Sequence, residues 1–425
     1  KAQRLNYTPG TQGANGDNLP DQIGAGTPAA SLYKATWQCR IPHGASSANP
    51  ARISLYGHGL LGSKGEVSAG NVGRMAKENN IIMCSMNWVG FSTEDVPTAV
   101  AALSDMDKFP NFIDRQLHGH LVWLTFQELI VRKGGLMSHP AFREGATGTG
   151  GPLYRVDKNL DGSGGMFYDG NSQGGIMGGA LVSVSKRVTN GTLGVFGMNY
   201  SILLRRSVDY QADPSAGPST AYSVALETAY TDSLDLAFIY SYIQLLWDRT
   251  ETNGFASNMT HKPLPNTPAH NIMLHIAYGD HQVSMTTAEI AARTAGMSRM
   301  ANTTERHHDK TPFFGIPVIN SYPFNGSAIV VWDSTNARTD TPIIHNVPTN
   351  SKSDPHGDPR STKRARLQKG LFLRSDNGTS TLPATAGSRG AVFDTCEFGL
   401  TSAGTNGGPC FSTPNNGGAD PGGRD

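Results

Sequence analysis

Gly170-Asn171-Ser172-Gln173-Gly174 reads G-x-S-x-G, and its flanks constrain the fold more than the pentapeptide itself does. The apolar run Met166-Phe167-Tyr168 precedes it, and a Gly- and Ala-rich stretch of helical character follows. A strand, a tight turn and a helix in that order raise a serine hydroxyl above the edge of a sheet. A serine in so strained a turn needs neighbours without side chains, which Gly170 and Gly174 supply. Gly175, Gly178, Gly179 and Ala180 are small enough to let the helix lie close to the sheet. The competing reading is a chance Gly-Ser loop in a chain with 50 glycines, and the flanks favour the turn.

Strand candidates recur with helical stretches between them: Thr36–Ile41, Arg52–Tyr56, Ile81–Asn87, Met166–Tyr168, Leu193–Phe196, Asn271–Ala277 and Ala328–Trp332. Several are continuous apolar runs, as expected for strands buried on both faces of a parallel sheet. Phe112–Arg132, Gln173–Lys186, Val283–Met297 and Pro359–Leu371 read as helices, the last opening on a proline suited to a first turn. The alternation predicts an α/β fold with a mostly parallel central sheet flanked by helices. Residues 1–34, rich in Gly, Asn and Pro, read as an extended arm, 35–395 as the α/β domain, and 396–425 as a Gly-rich tail. An interval at about 200–270 breaks the rhythm and carries the apolar helical stretch Ser233–Trp247. An insertion there lies over the carboxyl ends of the strands, so it is expected to be a helical cap or lid.

Lys and Arg total 35 against 34 Asp and Glu, and the net charge of +1 favours neither nucleic acid nor an anionic membrane surface. No apolar run approaches the roughly 20 residues of a membrane span. The low charged fraction, 16%, leans toward an exported protein, secreted or periplasmic. A start at Lys1 without a hydrophobic signal region suits a processed product. The four cysteines sharpen the leaning: Cys39 and Cys84 sit in strand-like segments, while Cys396 and Cys410 bracket a Gly-rich loop. Of three pairings, Cys39–Cys84 with Cys396–Cys410 is favoured.

A serine hydroxyl is a weak nucleophile and needs a base within reach, itself oriented by a carboxylate. Asp280 ends the run Ile272–Gly279 and so stands at the carboxyl edge of the sheet, although an Asx-turn or helix cap would also use it. The base should follow the acid, and His356, in the tight loop Asp354-Pro355-His356-Gly357-Asp358-Pro359, leads His345 and the pair His307-His308. His281 directly follows Asp280 and is expected to line the pocket, as is His58. Backbone donors for a developing oxyanion would come from Gln173 at the helix N-terminus and from the loop Tyr56–Gly62.

His58-Gly59-Leu60-Leu61-Gly62 together with Gly170-x-Ser172-Gln173-Gly174-Gly175 resembles the α/β-hydrolase superfamily, and within it secreted microbial lipases and esterases. Gly279-Asp280-His281-Gln282-Val283 is similar to the acid-bearing strand end of that superfamily. The likeness runs from Arg52 to Leu371 and is specific at the elbow and the oxyanion loop. It implies Ser172 as nucleophile and the Leu60 and Gln173 amides as oxyanion donors, in an enzyme that needs no cofactor. A small-molecule or polymeric ester is then the expected substrate and a monomer the expected state. An amidase or peptidase with the same triad is one alternative, and a non-catalytic extracellular binding module is another. Asp157-Lys158-Asn159-Leu160-Asp161-Gly162 matches the opening of a calcium loop, but Tyr168 stands where its bidentate carboxylate is needed. A solvated turn is favoured over calcium there, and no metal site is expected.

Overall fold

The computed structural model describes residues 4–5, 31–32, 34–158, 164–210, 222–300, 314–334, 354–374, 390–392 and 411–412. Among them, eight strands form one sheet: β1 (Trp37–Arg40), β2 (Arg52–Gly57), β3 (Ile81–Met86), β4 (Gly164–Asn171), β5 (Val188–Gly194), β6 (Asn271–Ala277), β7 (Ser298–Arg299) and β8 (Ala328–Ser334). Their spatial order is β7-β8-β6-β5-β4-β2-β3-β1, with β1 antiparallel to β3 and every other neighbour parallel. Short segments at Asp157–Lys158 and Phe411–Ser412 pair with β4 and β8. The result is a mostly parallel sheet with helices on both faces.

Alternation along the strands builds two cores. Ile53, Leu55, Ile82, Cys84, Met166, Tyr168, Ile272 and Leu274 pack on one face with Trp123 and Phe126 of α3 (Phe109–Val131) and Ile176 and Leu181 of α4 (Gln173–Val184). Tyr56, Ile81, Met83, Phe167, Met273, Val330 and Trp332 pack on the other with Val72 and Met75 of α1 (Gly70–Asn79) and Ala365 and Phe372 of α10 (Lys363–Phe372). Periodicity did not single out α1 or α2 (Val96–Ser104), whose sequences GNVGRMAKEN and VPTAVAALS hold few large apolar residues.

The fifth strand begins five residues before the expected Leu193. Its first half, Val188-Thr189-Asn190-Gly191-Thr192, is polar in sequence yet largely buried, because partners wait for it. Asn190 Nδ2 donates to the carbonyls of Phe372 and Gly390, and Thr192 donates to Asp169 on β4 at 2.6 Å. Lys369 of α10 reaches the same Asp169 oxygen at 2.8 Å, with both side chains buried. The expected helix Pro359–Leu371 breaks at Thr362 into α9 (Asp358–Ser361) and α10.

Cys39 and Cys84 face each other across the antiparallel β1–β3 pair and form a disulfide. Closing a loop of 45 residues stabilises the fold by about 4 kcal/mol in the chain-entropy account. Cys396 and Cys410 lie outside the described residues, as do His345, His307 and His308. Asp157 and Lys158 pair antiparallel with Gly165 and Gly164, and the rest of the calcium-like loop lies outside the described residues. No helix among the described residues is long and apolar enough to cross a membrane.

The interval after β5 holds α5 (Tyr200–Leu203), α6 (Tyr222–Ala229) and α7 (Ser233–Trp247), and α8 (Met285–Thr294) follows β6. Trp247 packs edge-on against Phe109 of α3 and lies 4.5 Å from the Tyr200 ring, which seats the insertion on the domain. Buried Glu251 ties its two ends together: one carboxylate oxygen accepts from the Asn199 amide and Gln244, the other from the Asn253 amide. Burial raises that carboxyl to about 7, against the lowering effect of these hydrogen bonds.

Candidate active site

Ser172 sits between β4 and α4 with φ 59° and ψ −125°, a left-handed conformation that a side-chain-bearing residue adopts only when its surroundings enforce it. The enforcement is backbone on backbone. A Cβ on Gly174 would lie 2.1 Å from the Gly57 carbonyl oxygen, and one on Gly170 would lie 2.3 Å from the Gly174 oxygen. The β2 end, the β4 end and the start of α4 therefore meet at distances that only glycine permits. Tyr168 completes the lock by donating its hydroxyl to the Gly174 carbonyl.

The loop His58–Gly62 follows β2. Glu66 accepts from the Gly59 amide at 2.7 Å and from the Tyr56 hydroxyl at 2.9 Å. His58 is fully buried, and its Nε2 lies 2.8 Å from the Trp88 amide, which can only donate. The proton of the neutral ring therefore belongs on Nδ1, which donates to the Gly59 carbonyl at 2.8 Å. Burial lowers the His58 pKa and keeps the ring neutral. Carbonyl and amide of a trans peptide point opposite ways, so holding the Gly59 C=O aims the Leu60 N–H away from His58. The Gln173 amide, first in α4, has no preceding helical turn to bond and carries the positive end of the helix dipole.

Asp280 follows β6 and is 1% exposed. One of its oxygens accepts from the Gln282 and Val283 amides at 2.8 and 2.9 Å. His356 Nδ1 stands 3.0 and 2.8 Å from the two oxygens. The Asx-turn and the imidazole contact, alternatives in the sequence, are made by the same carboxylate. Burial alone would lower the His356 pKa, but the charges of Asp280, Asp354 and Asp209 and the Asp280 hydrogen bond outweigh it and hold the ring above its ordinary value.

Three supporting residues were not singled out from sequence. Asp354 caps the short turn Pro355–Gly357 by accepting from the His356 amide at 3.0 Å; it also accepts from the His281 amide at 3.3 Å and from Gln282 Nε2 at 2.7 Å. It thereby bolts the His356 loop to the Asp280 loop. Arg206, from the insertion, donates to the Asp280 carbonyl. Glu66 receives Arg360 at 3.1 Å, linking the His58–Gly62 loop to the helix after His356. Only the first left a signal, an Asp two residues before the histidine in a Pro/Gly-bounded loop.

His58 and His281 were both expected to line the pocket. His58 and His281 line neither of the two cavities at Ser172. His58 is spent on the Gly59 carbonyl and the Trp88 amide, and His281, 3% exposed, contributes its backbone, its carbonyl accepting from Val208. Ser172, Leu60, Asp209 and Gln282 touch both cavities. The first, about 80 Å3, is walled by Phe91, Phe112, Ile176, Tyr200, Leu203 and Trp247. The second, about 850 Å3, also includes Glu66, Asn71, Asp354, His356 and Arg360.

No protein-family model matches this sequence, and no curated protein matches it significantly. Solved structures similar to it include an acylaminoacyl peptidase of Pyrococcus horikoshii (11% identity, 80% of this chain and 39% of that one, TM-score 0.39). Acetyl xylan esterase 1 of a Thermoanaerobacterium species is similar at 12% identity over 61% of this chain and 69% of that one, TM-score 0.38. A cold-adapted esterase from an Arctic intertidal metagenomic library is similar at 12% identity over 70% and 79%, TM-score 0.32. The chain spans little more than a third of the peptidase. At these identities and scores the functional reading rests on the site itself.

Proposed function

We propose that the protein is an exported serine hydrolase that cleaves carboxylic ester bonds through an acyl-enzyme on Ser172. The observation that carries this reading is the convergence on one cavity of a strained, glycine-flanked serine and a histidine held by a buried carboxylate. Ser172 attacks the ester carbonyl while His356 takes its proton; His356 then protonates the leaving alcohol, and Asp280 orients the ring and stabilises its cationic form. The Leu60 and Gln173 amides receive the oxyanion, where one such donor is typically worth about 2.7–4 kcal/mol in the barrier. Water activated by His356 releases the acid. The Cys39–Cys84 disulfide supports an oxidising compartment outside the cytosol.

A second reading, an amidase or peptidase with the same triad, is favoured by the size and polarity of the larger cavity. Of its carboxylates Glu66, Asp354 and Asp209, the first two are, however, engaged within the protein, which leaves mainly hydrogen-bonding groups rather than charges for a peptide. Labelling with a fluorophosphonate probe and hydrolysis of matched p-nitrophenyl ester and p-nitroanilide substrates test both readings. Wild type is expected to label and to prefer the ester, and Ser172→Ala to lose labelling and about a millionfold in kcat. Undiminished turnover by Ser172→Ala would sink the mechanism, and a preference for the anilide would favour the second reading. Full activity in His356→Ala would move the base elsewhere.

A further inference from the structure

The two cavities that meet at Ser172 differ in polarity, in size and in which of them holds the base. His356 lines the larger cavity and is absent from the lining of the smaller. The proton taken from Ser172 Oγ must be delivered to the leaving oxygen, so the leaving alcohol belongs on the side where His356 stands. The acyl group then occupies the other side. From this juxtaposition we infer that the enzyme takes esters of a compact apolar acid with a large polyhydroxylated alcohol. This inference rests on the ester-hydrolase reading above and names its substrate class.

Volume sets the acyl limit. An apolar cavity of about 150 Å3 holds a benzene ring, so the 80 Å3 beside Phe91, Phe112, Ile176, Tyr200, Leu203 and Trp247 admits a short chain. A long fatty acyl chain exceeds it. The larger cavity, 850 Å3, is too roomy to grip a small alcohol such as ethanol. Its walls present hydrogen-bonding groups: the Asn71 amide, Gln282, and the Asp209 carboxyl at the boundary of the two cavities. A polyol offers donors and acceptors to such walls without bringing a charge that needs a partner. Burial lifts the Asp209 carboxyl to about 6, with His356 opposing the rise, and the group accepts hydroxyl protons when ionised.

The reaction balances without a further reactant. The bond from Ser172 Oγ to the acyl carbon forms as the bond from that carbon to the polyol oxygen breaks, and the serine proton passes through His356 to the polyol. Water then gives its oxygen to the acyl carbon and returns a proton to Ser172.

Two substrate series measured on the full chain test the inference. With ethyl esters of increasing acid length, kcat/KM is expected to peak between acetate and octanoate and to fall at least about a hundredfold by hexadecanoate. With butyrate held constant, a glucose monoester is expected to exceed ethyl butyrate about tenfold. Asn71→Leu and Gln282→Leu are each expected to reduce the glucose-to-ethyl ratio about fivefold or more. A rise toward hexadecanoate, or equal rates for the two butyrates, overturns the inference. Fluorophosphonate labelling of Ser172 separates the two levels: reversed preference with labelling intact defeats the substrate assignment alone, whereas absence of labelling and of all ester turnover defeats both.

Discussion

The serine side and the histidine side of the site are held by different physics. At the elbow, Gly57, Gly170 and Gly174 bring three backbone segments within distances that exclude a Cβ, and Ser172 is forced to φ 59°. Across the cavity, Asp280 and His356 lie on separate loops and are joined by side chains: Asp354 bridges the loops, and Arg206 holds the Asp280 carbonyl. Close packing fixes a position whatever the pH and tolerates no added atom. Carboxylate clamps fix a position while also setting the charge state of what they hold. The same site is therefore rigid on the serine side and electrostatically adjustable on the histidine side.

After loss of the serine hydroxyl itself, the largest expected effect falls on the adjustable side. Asp280→Asn keeps the shape and an oxygen acceptor but removes the charge that orients and stabilises the imidazolium, and kcat is expected to fall roughly ten-thousand-fold. Thermal unfolding should move far less than activity. A variant with near wild-type turnover would mean that the histidine side takes no part in the chemistry, and the contrast between the two sides would collapse.

On the rigid side, Gly174→Ala places a Cβ 2.1 Å from the Gly57 oxygen and 2.3 Å from its carbonyl carbon, and no side-chain rotation relieves it. Stability is expected to drop by about 3 kcal/mol or more, read from the denaturant midpoint. Displacing Ser172 by an ångström or so should cost about a hundredfold in kcat/KM. A well-folded, fully active Gly174→Ala would show that the elbow relaxes and that sterics do not define this side.

This contrast also explains what could be read in advance. Steric demands are local, so G-x-S-x-G with small residues after it was visible in one stretch, as were the continuous apolar strands Ile81–Met86 and Asn271–Ala277. Asp280 and His356 were legible as strand-end acid and tight-loop histidine, although they are 76 residues apart and their contact was not. Polar partnerships leave weaker traces. Nothing local marks Asn190 as the partner of Phe372 and Gly390, and so the first half of β5 looked like a loop. His58 reads as a pocket residue from sequence, and nothing local shows that Trp88, 30 residues on, supplies the donor to its Nε2.

His58 tests whether the oxyanion loop belongs to the rigid side or the adjustable one. His58→Leu removes one of the two donors to the Gly59 carbonyl, the Gly62 amide being the other, and leaves the Trp88 amide without its acceptor, a loss of about 1–3 kcal/mol in stability. If that carbonyl aims the Leu60 amide, kcat should fall between about tenfold and a hundredfold, less than outright loss of an oxyanion donor. KM should change little, because the donor acts on charge that develops only in the transition state. A matching rise in KM with kcat unchanged would return His58 to the substrate side.

The smallest expected change in rate is the most direct test of electrostatic control. Asp354→Asn retains an oxygen to accept the His356 and His281 amides while deleting one of the negative charges that keep the His356 pKa above its ordinary value. His356 works as a base only when neutral, so the acidic limb of kcat/KM for the wild type is expected above about pH 6.5. With Asp354 neutralised, Asp280 and Asp209 remain as the charges facing the ring. The imidazolium is then less favoured, its pKa falls, and the base stays neutral to lower pH. The acidic limb should therefore move to lower pH, with the plateau reduced by no more than about tenfold. Gly174→Ala, by contrast, should lower the plateau and leave the limb where it is. An unmoved limb in Asp354→Asn would reduce Asp354 to a loop cap, and a moved limb in Gly174→Ala would show that the two sides are coupled rather than independently held.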